Sequence, residues 1–133
     1  MRRILVAYDG SEPARRALDR AAEIAQAMGA TLTVVHVVPA HADRAAVDLW
    51  TDEAAESKML AEATRRLAER GVSSSVLQAI GEAGPAIVGA AEQGGFDTIV
   101  VGSRGLGAAA RLVLGSVSAY VTTHAHATVI VVH

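Results

Sequence analysis

Short apolar runs rich in branched side chains alternate with longer stretches of helical periodicity along this sequence, and that alternation leaves few folds open. The first run, Ile4-Leu5-Val6-Ala7-Tyr8, has no polar face, as in a strand covered on both sides. Asp9-Gly10-Ser11 ends it, with Ser11 a good N-cap and Pro13 suited to a first helical turn. From Glu12 to Met28 apolar residues recur at Leu18, Ala21, Ala22, Ala25 and Met28, while Arg15, Arg16, Asp19, Arg20 and Glu23 fall mostly on the other side. Gly29 closes this amphipathic helix.

The pattern then repeats. Residues 31–38 read as a second buried strand, stopped by Pro39. Residues 39–50 read as irregular, with Pro39, His41 and Asp43, and with Trp50 at the far end as a packing anchor or part of a lid. A helix is expected over about 51–70, turning Leu60, Ala63 and Leu67 inward and closing at Gly71. The third strand, 73–80, is more polar at its start and is placed near a sheet edge. Gly84-Pro85 opens a short helix through Glu92, ended by Gly94-Gly95. A fourth strand at 97–101, a helix from Ser116 to about His124 and a fifth strand at 128–132 complete the series. Five strands joined by helical or other crossovers imply one open parallel α/β sheet with helices on both faces. A length of 133 residues suits a single domain spanning 1–133.

Composition removes several function classes. The net charge is −2 and no Lys/Arg run exceeds two residues, so nothing offers the dense positive surface that nucleic acid requires. Cysteine is absent, which excludes disulfides, thiolate catalysis and cysteine metal sites. Lys58 is the only lysine. The N-terminal apolar run stops at Asp9, too short for a signal-peptide core or a membrane span. A soluble cytoplasmic protein without a membrane partner is expected.

Open parallel sheets bind ligands beyond the carboxyl ends of their strands, where strand order reverses. The most unusual post-strand segment is Gly102-Ser103-Arg104-Gly105-Leu106-Gly107, followed after Leu114 by Gly115-Ser116-Val117-Ser118. Glycines let the backbone approach a ligand closely. Gly115-Ser116 opens a helix whose free N–H groups favour an anion, Ser116 and Ser118 add hydroxyl donors, and Arg104 adds charge. The pattern is a phosphate cradle. It is not a P-loop, which needs Gly-Lys-Ser/Thr, nor the dinucleotide fingerprint, which follows the first strand. Taken singly, each glycine is an ordinary turn residue, Asp9 caps the first helix as well as it contacts a ligand, and Arg104 is a solvated charge. His36 reads as a hydrogen-bonded core histidine. His124 and His126 have a metal-like spacing but no further ligand nearby, and read as helix-end imidazoles.

Gly102, two residues, Gly105, nine residues and Gly115-Ser116 reproduce the G-x2-G-x9-G-[S/T] motif, and on it the chain resembles the ATP-binding subclass of the universal stress proteins. The resemblance extends to residues 4–11 at the start and 129–132 at the end. It implies a Rossmann-like, adenine nucleotide alpha hydrolase-like sheet of strand order 3-2-1-4-5. It also implies an ATP site, with magnesium carried by the nucleotide. In that site Asp9 reaches the ribose or the metal, Ala7 lines the pocket, and Val37 offers backbone groups to adenine. Gly102 and Gly105 pass close to the ribose and phosphates, and Gly115, Ser116, Val117 and Ser118 bind the phosphate tail. Some relatives carry proline where Ala7 stands and methionine where Val101 stands.

The resemblance implies a homodimeric regulatory protein of stress responses, paired through 128–132. Fast hydrolysis needs a positioned base, a cationic clamp and metal carboxylates; only Asp9 and Arg104 are candidates, so an enzyme is not expected beyond weak ATPase or self-phosphorylation. The alternatives are that weak enzyme and a dimeric scaffold that binds no nucleotide. A receiver domain fails for want of a second acidic neighbour at Asp9, an aspartate after the third strand and a C-terminal lysine. FMN binding fails because its phosphate loop follows the first strand and aromatics are scarce.

Overall fold

The computed structural model describes residues 1–40, 46–103 and 115–133, with the side chains of 46–54 outside the description. Its elements are β1 (Arg3–Ala7), α1 (Glu12–Met28), β2 (Thr31–Val38), α2 (Ala46–Glu69), β3 (Ser74–Ile80), α3 (Ala83–Gly94), β4 (Thr98–Gly102), α4 (Ser116–His124) and β5 (Thr128–Val132). The strands form one parallel sheet in the order β3-β2-β1-β4-β5. This is the α/β, Rossmann-like arrangement expected.

Side chains alternate across the sheet, and each face has its own cover. Ile4, Val6, Leu32, Val34 and Val100 face α1 and α2, where they meet Leu18, Ala21, Ala22, Ala63 and Leu67. Leu5, Val35, Ile99 and Val101 face α3 and α4, against Ile87, Val88, Ala91 and Val121. Because both faces are buried, the middle of β1 (Ile4, Leu5, Val6) and of β4 (Ile99, Val100, Val101) is apolar at successive positions, which is why these strands show no alternation. The edge strands differ. β3 leaves Val76 and Ile80 exposed, in keeping with its predicted edge position.

α1 starts at Ser11, whose Oγ accepts the Ala14 N–H at 3.3 Å, and stops at Gly29, held left-handed at φ 63°. On its flank Asp19 grips α2 through two 2.7 Å bonds from Arg66. On the other face Gly84 of α3 lies against Tyr120 of α4; a Cβ there would fall 2.8 Å from the ring. The helix read as starting near 51 instead begins at Ala46. The turn formers of that segment, Pro39, His41 and Asp43, all precede Ala46, and nothing in Ala46-Val47-Asp48-Leu49-Trp50 breaks a helix. Residues 41–45, and the side chain of Trp50, lie outside the described residues.

Candidate functional site

β1 pairs with β2 on one side and with β4 on the other, so the chain's direction of winding across the sheet reverses between β1 and β4. Helices leaving opposite faces open a crevice there. It forms a cavity of about 320 Å³, at the lower end of the roughly 300–1,000 Å³ typical of small-molecule sites. Ala7, Val35, Val37, Ala83, Ile87 and Val101 give it an apolar wall. Asp9, Gly102, Gly115, Ser116, Val117 and Ser118 also line it. Eight of the ten residues expected at the site are thus brought together: Ala7, Asp9, Val37, Gly102 and Gly115 through Ser118. Arg104 and Gly105 lie outside the described residues.

The β1–α1 turn satisfies itself. Asp9 Oδ1 accepts the Ser11 N–H at 2.9 Å, while Ser11 caps the helix. Gly10 sits at φ 82°, a left-handed conformation suited to glycine, with Met59 of α2 close above it. Asp9 is exposed and is the one acidic residue of the described cavity wall; Ser11, not Asp9, is the cap.

The start of α4 is different. Gly115 occupies the N-cap with φ −61° and ψ 159°, and no side chain caps the helix. Ala119 is the first residue to donate inward, to the Gly115 carbonyl. The N–H groups of Ser116, Val117 and Ser118 therefore have no partner within the helix, and their combined dipole favours an anion. Ser118 is buried and donates its hydroxyl hydrogen to the Gly115 carbonyl at 3.1 Å, so toward a ligand it offers an acceptor lone pair. The Ser116 hydroxyl makes no hydrogen bond among the described residues and remains available as a donor.

Val37 presents backbone groups as well as its side chain. Residues of a strand turn N–H and C=O alternately to either neighbour. The Val35 carbonyl accepts from Tyr8 N–H at 3.0 Å, and the Val38 carbonyl accepts from Gly81 N–H at 3.0 Å. Val37 therefore faces the β1 side, as Val35 does. The β1–β2 register ends at Ala7 opposite Val35. The Val37 N–H and C=O project past the end of β1 into the crevice as a donor–acceptor pair.

Sequence reasoning did not assign Tyr8, His36, Ala83, Ile87 or Ser103 to the site, yet all of them line the cavity. Ser103 is buried; its N–H donates to the Val132 carbonyl at 2.8 Å and its Oγ lies 2.8 Å from His133 Nδ1, tying the cavity wall to the end of β5. Its place directly after β4 was the available signal. Tyr8 projects to the α1–α2 face, where burial, and then the Glu62 carboxylate, raise its phenol above the ordinary value against the opposing pull of Arg15. It stays protonated near neutrality. His124 and His126 lie at the far end of the sheet. His124 stacks on Tyr120 at 3.9 Å and its Nδ1 bonds the Tyr120 carbonyl, whereas His126 lies 3.7 Å from Glu92.

The family model for the universal stress protein family matches residues 1–133. Universal stress protein YxiE of Bacillus subtilis (strain 168) is 34% identical over 87% of this chain and 88% of its own length. A universal stress protein crystallised in complex with cAMP superposes with a TM-score of 0.82 at 30% identity, covering 99% of this chain and 97% of the other. The universal stress protein from Archaeoglobus fulgidus in complex with dAMP superposes at 0.78 with 26% identity, over 100% and 98% of the two chains.

Proposed function

The chain belongs to the universal stress protein family, and from that premise we propose that it binds an adenine nucleotide in the crevice between β1 and β4. The observation that carries this reading is a pairing of complementary groups in one cavity: the open donor–acceptor pair of Val37 at one end and the uncapped start of α4 at the other. Adenine presents an acceptor, N1, beside a donor, the 6-amino group, which matches Val37. Ala7, Val35, Ile87 and Val101 supply apolar surface for the ring. The free N–H groups at 116–118 and the Ser116 hydroxyl suit phosphate oxygens. Relatives crystallised with cAMP and dAMP support an adenine ligand.

ATP is the ligand we assign, on the Gly102, Gly105, Gly115-Ser116 spacing of the sequence. Magnesium fits as an ion carried by the nucleotide. Asp9 has one oxygen committed to Ser11 N–H and one left over, and no cluster of three ligand-type side chains occurs among the described residues. The same sparse acid–base equipment supports regulation by binding, with hydrolysis slow at most. Pairing of Thr128–Val132 between two copies gives the homodimer, and nucleotide occupancy is the signal it reports in the cytoplasm during stress. Among the described residues no helix is long and apolar enough to cross a membrane.

Calorimetric titration with adenosine, AMP and ATP–magnesium tests the reading. Affinity rising from adenosine to ATP supports both ends of the site. GTP binding as tightly as ATP contradicts the role of Val37, and no binding of any of them favours the scaffold alternative.

A further inference from the structure

Building on that function, we propose that His36 is a positioning residue that holds the Val37 N–H open for the base and so sets a preference for 6-aminopurines over 6-oxopurines. In a parallel ladder, the bond from Tyr8 N–H to the Val35 carbonyl is followed by one from Val37 N–H to the Tyr8 carbonyl. Here the ladder stops one step short, at Ala7 opposite Val35. The Tyr8 carbonyl instead lies 3.3 Å from His36 Nδ1. A carbonyl oxygen only accepts, so Nδ1 carries the hydrogen.

The imidazole is held in that orientation. His36 is buried, 9% exposed, between β2 and α2. Its Nε2 faces the Glu56 carboxylate at 3.8 Å and makes no hydrogen bond. With the ring occupying the Tyr8 carbonyl, the Val37 N–H has no strand partner and meets whatever enters the crevice. Adenine N1 accepts from it while the 6-amino group donates to the Val37 carbonyl. Hypoxanthine reverses both positions, with N1–H a donor and O6 an acceptor, so each Val37 group meets its own kind. Without the imidazole, the Tyr8 carbonyl is left to the donor that the parallel ladder would next supply, the Val37 N–H. The ladder then closes by one step and the base loses its donor.

His36→Leu removes the hydrogen bond, and His36→Asn restores an amide N–H near the Nδ1 position. Two measurements decide: calorimetric affinities for AMP and IMP, and amide hydrogen exchange at Val37 without ligand. The native chain is expected to prefer AMP by about tenfold or more, the range of one to two mismatched hydrogen bonds. In His36→Leu, AMP affinity falls about tenfold, the AMP/IMP ratio drops toward one, and the Val37 amide becomes protected; His36→Asn recovers the native pattern. A folded His36→Leu protein with the native AMP/IMP ratio and an open Val37 amide overturns the proposal and leaves adenine binding standing. A native chain that binds neither nucleotide fails the functional reading instead, and the ligand-free exchange comparison still decides the ladder.

Discussion

Gly102, the last residue of β4, lies so close to the first turn of α1 that a Cβ built on it would stand 2.6 Å from the Pro13 carbonyl carbon. The first glycine of the phosphate-cradle motif therefore has a packing reason of its own: it lets α1 descend onto β4 at the mouth of the crevice. Gly102→Ala is expected to push α1 away and cost about 1–3 kcal/mol, as overpacking does. Displacing α1 also displaces Asp9 and Ser11, so nucleotide affinity falls with stability. Urea unfolding measures the first effect; an unchanged midpoint contradicts the contact.

The Asp19 carboxylate is held below its ordinary pKa, chiefly by the hydrogen bonds from Arg66, with burial opposing and the charges of Arg66 and Arg70 assisting. Asp97 is lowered too, by the Arg2 N–H, the Thr98 hydroxyl and the Arg3 N–H. Groups depressed on folding stabilise fully above their unfolded value and lose that contribution as pH falls through the native one. Stability should therefore be insensitive to these groups near pH 7 and decline below about pH 4. Asp19→Asn is expected to cost about 1 kcal/mol at neutral pH, since both partners are partly solvated, and to flatten the acid limb of a stability–pH curve. A variant with the native acid limb contradicts the assignment.

The outer edge of β5 can be probed without touching its inner bonds. Thr128 N–H donates to the Asp97 carbonyl and the Val132 carbonyl accepts from Ser103, so the even-numbered positions face β4. Val129 and Val131 turn their backbone groups outward. Val131→Pro removes one outward donor and no β4–β5 bond. If two copies pair along this edge, sedimentation should show a native dimer and a folded monomeric variant. A variant that stays dimeric contradicts pairing through Thr128–Val132.

Most of the fold was legible because its periodicities are strong. β1 and β4 are built around continuous apolar runs, Ile4–Ala7 and Ile99–Val101, β2 is rich in branched apolar residues, and α1 carries a cap, an apolar stripe and a closing glycine. The strand order came with the family resemblance, since apolar runs do not say which strands are neighbours. The start of α2 was misplaced because the turn signals at Pro39, His41 and Asp43 suggest an irregular segment without marking where it ends. At the site, Gly115-Ser116 was readable from its glycine and its place at a helix start. His36 was readable only as a buried histidine. Its partner is a backbone carbonyl 28 residues away in sequence, and no side-chain pattern encodes where a ladder stops. Ser118 shows the same limit: composition supplies a hydroxyl, but geometry decides that its hydrogen goes to Gly115.

The most direct test of the central claim is calorimetric binding of ATP with magnesium to the native chain and to Gly115→Ala/Ser116→Ala. Gly115 has a negative φ that alanine also adopts, so the variant should keep the fold. The account predicts saturable binding by the native chain and a loss of tenfold or more in the variant, with unfolding still cooperative, about the effect of removing one charge-assisted hydrogen bond. A folded variant that binds ATP as the native chain does would contradict the α4 phosphate site.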